Sequence, residues 1–169
     1  GTPIADRTRV AFVQGSANLS QDIAGLTAGQ QYWVQFFYDA RNCCGGTIDI
    51  VTKFADTELD RINNVRPALL NSYYARSVPF VSTSDSGTLT FTTIASGDAT
   101  VDFDGVTIVE RDTNNVVVIN PSFEASGTLP ALGPIASVAG WTGLGTIGVD
   151  AAAGGAGFAD NGTIPDQDL

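Results

Sequence analysis

The sequence contains no histidine and no methionine, a single lysine (Lys53) and only three glutamates among 169 residues. Without histidine, the Ser-His-Asp and Cys-His catalytic designs, the usual zinc sites and the commonest general base are all excluded. With lysine and glutamate so scarce, helices with charged outer faces lack their building material. Charged residues make up only 15% of the chain against 43% apolar, which excludes a disordered polyelectrolyte. No apolar run approaches the roughly 18 residues of a membrane-spanning helix, so no membrane insertion is expected. A chain that starts at Gly1 and lacks methionine is expected to be a processed product or a segment of a longer one.

Positive charge is also in short supply. Eight basic residues face eighteen acidic ones, a net charge of −10. Such a chain repels phosphate backbones and anionic membrane surfaces, so nucleic acid is not an expected partner. Carboxylates in this excess favour hard divalent cations such as calcium.

What is abundant is Thr, Val, Ile and Phe, with 19 glycines between them. That composition predicts an all-β chain, and the length suits one sizeable domain with its own core. Strand signals alternate with turn signals. Strands are predicted at Arg9 to Gln14, Asn18 to Ile23, Gln31 to Ala40, Thr47 to Phe54, Ser77 to Val81, Thr88 to Ile94, Ala99 to Arg111 and Val116 to Ile119. The stretch 31–40 carries aromatics on both faces, which predicts a central strand covered on both sides. In the stretch 99–111, Val101 and Phe103 face the core, Asp102 and Asp104 face away, and Gly105 predicts a bulge that swaps the faces. Residues 55–75 read as a short helix or an irregular crossover, with Pro67 against a long helix.

The adjacent Cys43 and Cys44 follow the central strand. A bond between them would stiffen the turn and is the favoured reading; free thiols and bonds between chains are the alternatives, and the spacing does not suit zinc. Aromatic side chains could stack on pyranose rings. Strand aromatics are expected to be core, so Tyr73 and Tyr74 in the irregular stretch, with Trp141, are the candidate sugar platforms, and Arg41 is a partner for hydroxyls. The carboxylate pairs Glu58/Asp60 and Asp102/Asp104 lie at i, i+2 on one strand face. A glycosidase needs its two acids to flank a cleft, so no catalysis is expected. Asn18-Leu19-Ser20 and Asn161-Gly162-Thr163 match the glycosylation sequon.

Gly162-Thr163-Ile164-Pro165-Asp166 echoes Gly1-Thr2-Pro3-Ile4-Ala5-Asp6, so the chain ends at the phase in which it begins. The run from Val10 through Arg41, TLTF at 88–91, ATVDFDGVTIVER at 99–111, and NPSFEASG at 120–127 with the later Gly140-Trp141 together resemble the galactose-binding-like jelly-roll superfamily. That superfamily includes carbohydrate-binding modules and repeated bacterial cell-surface domains. The resemblance implies a jelly-roll β-sandwich, and it implies that Asp104 and Glu124 help hold a structural calcium ion.

The order departs from the family, in which the NPSFE-like block opens the domain. Here it comes last, so residues 1–119 form the main body and 120–169 the opening strands. A circular permutant, one repeat cut from a tandem array, or strand exchange between copies would each explain this. The end echo favours the latter two. The expectation is therefore an extracellular structural subunit that polymerises head to tail with copies of itself. Asn120, Pro121, Phe123, Phe158, Ile164 and Pro165 are expected at the joint. The alternative is a carbohydrate-binding module recognising polysaccharide through exposed aromatics.

Overall fold

The structure is a computed structural model that describes residues 9–68, 73–110, 116–128 and 135–151. Eight strands carry the fold: β1 (Arg9–Ala24), β2 (Gln31–Ala40), β3 (Thr47–Phe54), β4 (Thr57–Ile62), β5 (Tyr74–Val81), β6 (Ser86–Ser96), β7 (Thr100–Glu110) and β8 (Thr142–Ala151). Every strand pair is antiparallel. No helix occurs among the described residues, and none is therefore long and apolar enough to cross a membrane.

Two layers arise because β1 changes partners along its length. Its first half, Ala11 to Gln14, pairs with β7 and continues through β2 to β5. Its second half, Asn18 to Ala24, pairs with β6 and continues through β3 to β4. β8 runs beside both halves, with a register shift between Gln14 and Asn18. The sequence reading had two strands here; the structure has one strand, bent where Gly15 takes a φ of +69°.

The bend frees backbone groups that the ladder no longer satisfies, and local groups take them up. Gly15 N–H donates to Ala99 O at 2.9 Å. The Thr93 hydroxyl donates to Gly15 O at 2.7 Å and accepts from Ala17 N–H at 3.1 Å. Gly145 lies opposite, with φ +96°, and a Cβ there would come within 2.6 Å of the Ala17 Cβ. A Gly145→Ala substitution adds both backbone strain and a clash, so it should cost about 1–3 kcal/mol. The urea midpoint is expected to fall accordingly; an unchanged midpoint would mean the bend relaxes freely.

Between the layers, Phe36, Phe91 and Phe103 form the centre of the core, joined by Leu19, Val34, Ile50, Leu89 and Ile108. These are alternate positions of their strands, as a pleated sheet requires. Gly105 is a bulge: the β2–β7 register shifts between Gln35 and Phe37, so Phe103 and Val106 both face inward. Asp102 and Asp104 do face away from the core, yet each is only 1% exposed, because this part of the outer face is covered.

Three predicted elements differ. Residues 57–62 are strand rather than helix or crossover. Thr142–Ala151 is an additional strand. Val116 to Ile119 is irregular, and Gln21 serves it instead of a ladder: its amide accepts from Ile119 N–H and donates to Ile119 O, each at 2.8 Å.

The described part of 120–169 packs on the rest of the chain. Phe123 is fully buried against Trp141, with ring centroids 5.6 Å apart. Pro121 O accepts from Val106 N–H at 2.9 Å. Asn120 donates to Ala139 O and accepts from Ala125 N–H. β8 pairs with both halves of β1 and satisfies their edge. Phe158, Ile164 and Pro165 lie outside the described residues.

Candidate functional site

The outer face of the β5–β2–β7 layer is divided. Toward one end it is covered, with Phe37, Tyr73 and Val10 packed together and buried. Toward the other it lies open as a shallow trough of about 370 Å³ lined by Trp33, Gln35, Ser77, Val109 and Glu110. Strand register builds this arrangement. Trp33 sits opposite Pro79 on β5 and Val109 on β7; Gln35 sits opposite Ser77 and Thr107. Paired residues share a face, so an indole, an amide and two hydroxyls stand in adjacent rows.

Trp33 is half-buried, whereas Tyr32, Val34 and Phe36 on the other face of β2 are in the core. The polar groups beside it are lightly engaged. Gln35 Nε2 lies 3.5 Å from Ser77 Oγ, at the limit of a hydrogen bond. Thr107 Oγ1, by contrast, is buried, with no hydrogen-bond partner among the described residues. Gln30 Nε2 donates to Glu110 Oε1 at 2.7 Å at the end of the trough.

The candidates from sequence fall elsewhere. Tyr73 is 5% exposed, packed with Val10 and Phe37, so its ring is not an open platform. Trp141 is 8% exposed, against Phe91 and Phe123, with its Nε1–H toward Asn120 O at 3.4 Å. Tyr74 is exposed and sits opposite Tyr38 on β2, ring centroids 5.4 Å apart. Burial pushes the Tyr38 phenol above its usual range despite the nearby Arg76. Arg76 and Asp60 form a two-pronged pair beside them, at 2.8 and 2.6 Å, and that hydrogen bonding raises the Arg76 pKa.

Cys43 and Cys44 are bonded to each other. The turn they occupy, between β2 and β3, packs flush on the β6–β7 turn, where Gly45 bridges Asp98. A Cβ on Gly46 would stand 2.5 Å from Asp98 O, so only glycine allows this approach. Arg41 is held there, its Nη2 donating to Asp98 Oδ1 at 3.0 Å and to Cys44 Sγ at 3.3 Å. Between these turns and the β4–β5 connection lies a cavity of about 200 Å³.

Calcium at Asp104 and Glu124 is poorly matched by the residues present. Glu124 Oε1 accepts from Arg9 N–H at 2.9 Å, and its carbonyl oxygen accepts from the Arg9 guanidinium at 2.6 Å. A cation of this chain therefore already faces that carboxylate. Asp104 Oδ1 accepts from Gly105 N–H at 2.7 Å. No group of three or more acidic or thiol side chains converges among the described residues, so backbone carbonyls would have to supply most of the six to eight oxygens that calcium takes. Chelation with excess EDTA is expected to leave the Tm unchanged within about 1 °C; a fall of several degrees would restore the calcium reading.

The architecture is that of the jelly-roll β-sandwiches found among carbohydrate-binding modules. Among solved structures, it is shared with the carbohydrate-binding module of PbXyn10C in its apo form, at 16% identity over 89% of this chain and 92% of that one, TM-score 0.57. The C-terminal domain of the sugar-binding protein EclA matches at 14% identity over 63% of this chain and 81% of that one, TM-score 0.48. No family model matches the sequence, and no curated protein matches it.

Proposed function

We propose that the chain is a non-catalytic carbohydrate-binding domain that lays a polysaccharide along the trough beside Trp33. One observation carries this reading: a half-exposed indole on an open sheet face, with Gln35 and Ser77 beside it. An aromatic face takes the C–H face of a pyranose ring, while amide and hydroxyl groups take its hydroxyls. A trough open along its length suits a chain. The PbXyn10C module of similar fold is named for carbohydrate binding, which supports the same class of ligand.

Binding rather than hydrolysis fits the acids. Glu58 is clasped by Arg61 through two hydrogen bonds of 3.0 Å, which lowers its pKa, and Asp60 is clasped by Arg76. Neither pair flanks the trough. The Cys43–Cys44 bond supports an exported, oxidising setting. Head-to-tail assembly by strand exchange is the weaker reading, since β8 completes its own sandwich.

Affinity electrophoresis in gels containing β-glucan, xylan, mannan or pectin tests the proposal. Retardation on at least one of them is expected. Unretarded migration on all of them would sink it.

A further inference from the structure

The cavity at the turn end of the sandwich is separate from the trough. Trp33 and Arg41 are eight residues apart along β2 and its end, roughly 26 Å at about 3.3 Å per residue. Its polar lining is of one kind. Arg41, Arg66, Asn42 and Asn64 line it, and no aspartate or glutamate does. Arg41 is already paired with Asp98 on the adjoining turn, so Arg66 is the lining cation without an ion pair among the described residues.

A second observation is independent of that charge. Thr100 is 1% exposed and lines the cavity, and its Oγ1 has no hydrogen-bond partner among the described residues. A buried hydroxyl left unpaired is costly. The remaining wall is apolar, from Ile48, Val65, Pro67 and the disulfide-bonded Cys43. At about 200 Å³ the space is smaller than the roughly 300–1,000 Å³ of drug-sized sites, so it admits one ring and not a chain.

We propose that this cavity binds a single carboxylate-bearing sugar unit, a hexuronate. The Arg66 guanidinium would take the carboxylate, the planar fork being matched to it, with Arg41, held by Asp98, beside it. Asn42 and Asn64 would take hydroxyls, and the apolar wall the ring face. That the ligand is a sugar rests on the proposed function; that it is an anion rests on the lining alone.

Titration calorimetry of the full chain with glucuronate, galacturonate, their neutral parent hexoses and inorganic phosphate tests this. A uronate is expected to bind at least tenfold more tightly than its parent hexose and than phosphate, and more weakly as salt is raised. The exposed Arg66→Gln variant should lose at least tenfold, with Arg41→Gln as a second variant. Trp33→Ala should bind uronate as the parent chain does. Equal binding of hexose and uronate, equal binding of phosphate, or indifference to both arginine variants would each overturn the proposal. So would absence of uronate binding while polysaccharide still retards the chain, and that result would leave the trough reading standing. Arginine-dependent uronate binding without any polysaccharide retention would do the reverse.

Discussion

Trp33→Ala is expected to abolish the retardation of the chain in polysaccharide gels while leaving its fold intact. Stacking one pyranose on the indole covers about 100 Å² of apolar surface, about 2.5 kcal/mol at about 25 cal/mol per Å². Ordering a flexible polysaccharide takes back part of that. The net loss in affinity should be roughly 10- to 50-fold, enough to remove visible retention from a module of ordinary affinity. Trp33 faces away from the core, so the Tm should move by no more than a few degrees. Trp33→Phe should keep part of the affinity, which separates loss of a stacking face from loss of shape. Undiminished retention in Trp33→Ala would show that the trough is not the site.

Phe91→Ala is expected to have the largest effect on stability of any single truncation. The Phe91 side chain is fully buried and meets three rings: Phe103 at 4.8 Å, Phe36 at 4.9 Å and Trp141 at 6.3 Å between centroids. It therefore joins β6 to β2 and β7 across the layers and to the segment preceding β8. Truncating such a ring costs about 3–5 kcal/mol, the lost transfer energy plus the cavity left behind. For a chain of this length that corresponds to a Tm lower by roughly 6–20 °C. Phe91→Leu should recover much of it. A fall below about 3 °C in Phe91→Ala would mean that the layers close up around the gap.

The elements that sequence revealed and those it hid differ for physical reasons. β2 and β3 were legible to their ends because long apolar runs meet turn residues there: Gly29 before β2, Gly45-Gly46 between the two, and Ala55-Asp56 after β3. β4 was not: TELDRI is an edge strand, half-buried at most, so it has no apolar alternation to detect. β8 carries Gly143, Gly145 and Gly148, which leave gaps in its period. Val116 to Ile119 has strand composition but is held by Gln21 instead. Trp33 was hidden for another reason. Aromatics on both faces of β2 imply cover on both sides, yet cover extends over Phe37 and stops short of Trp33. The turn-end cavity could not be read at all, since Arg41 and Arg66 come from two connections and Thr100 from the start of β7, far apart in the chain. Of the sites named from sequence, Arg41 lies at that cavity and Tyr74 is exposed, while the Tyr73 and Trp141 rings went into packing.

β1 and β8 are each shared by both layers, like the spine of a book whose covers are the two sheets. Neither cover can detach without tearing the spine. Calorimetry should therefore record a single melting event, and a sugar seated on one cover should raise the melting point of both.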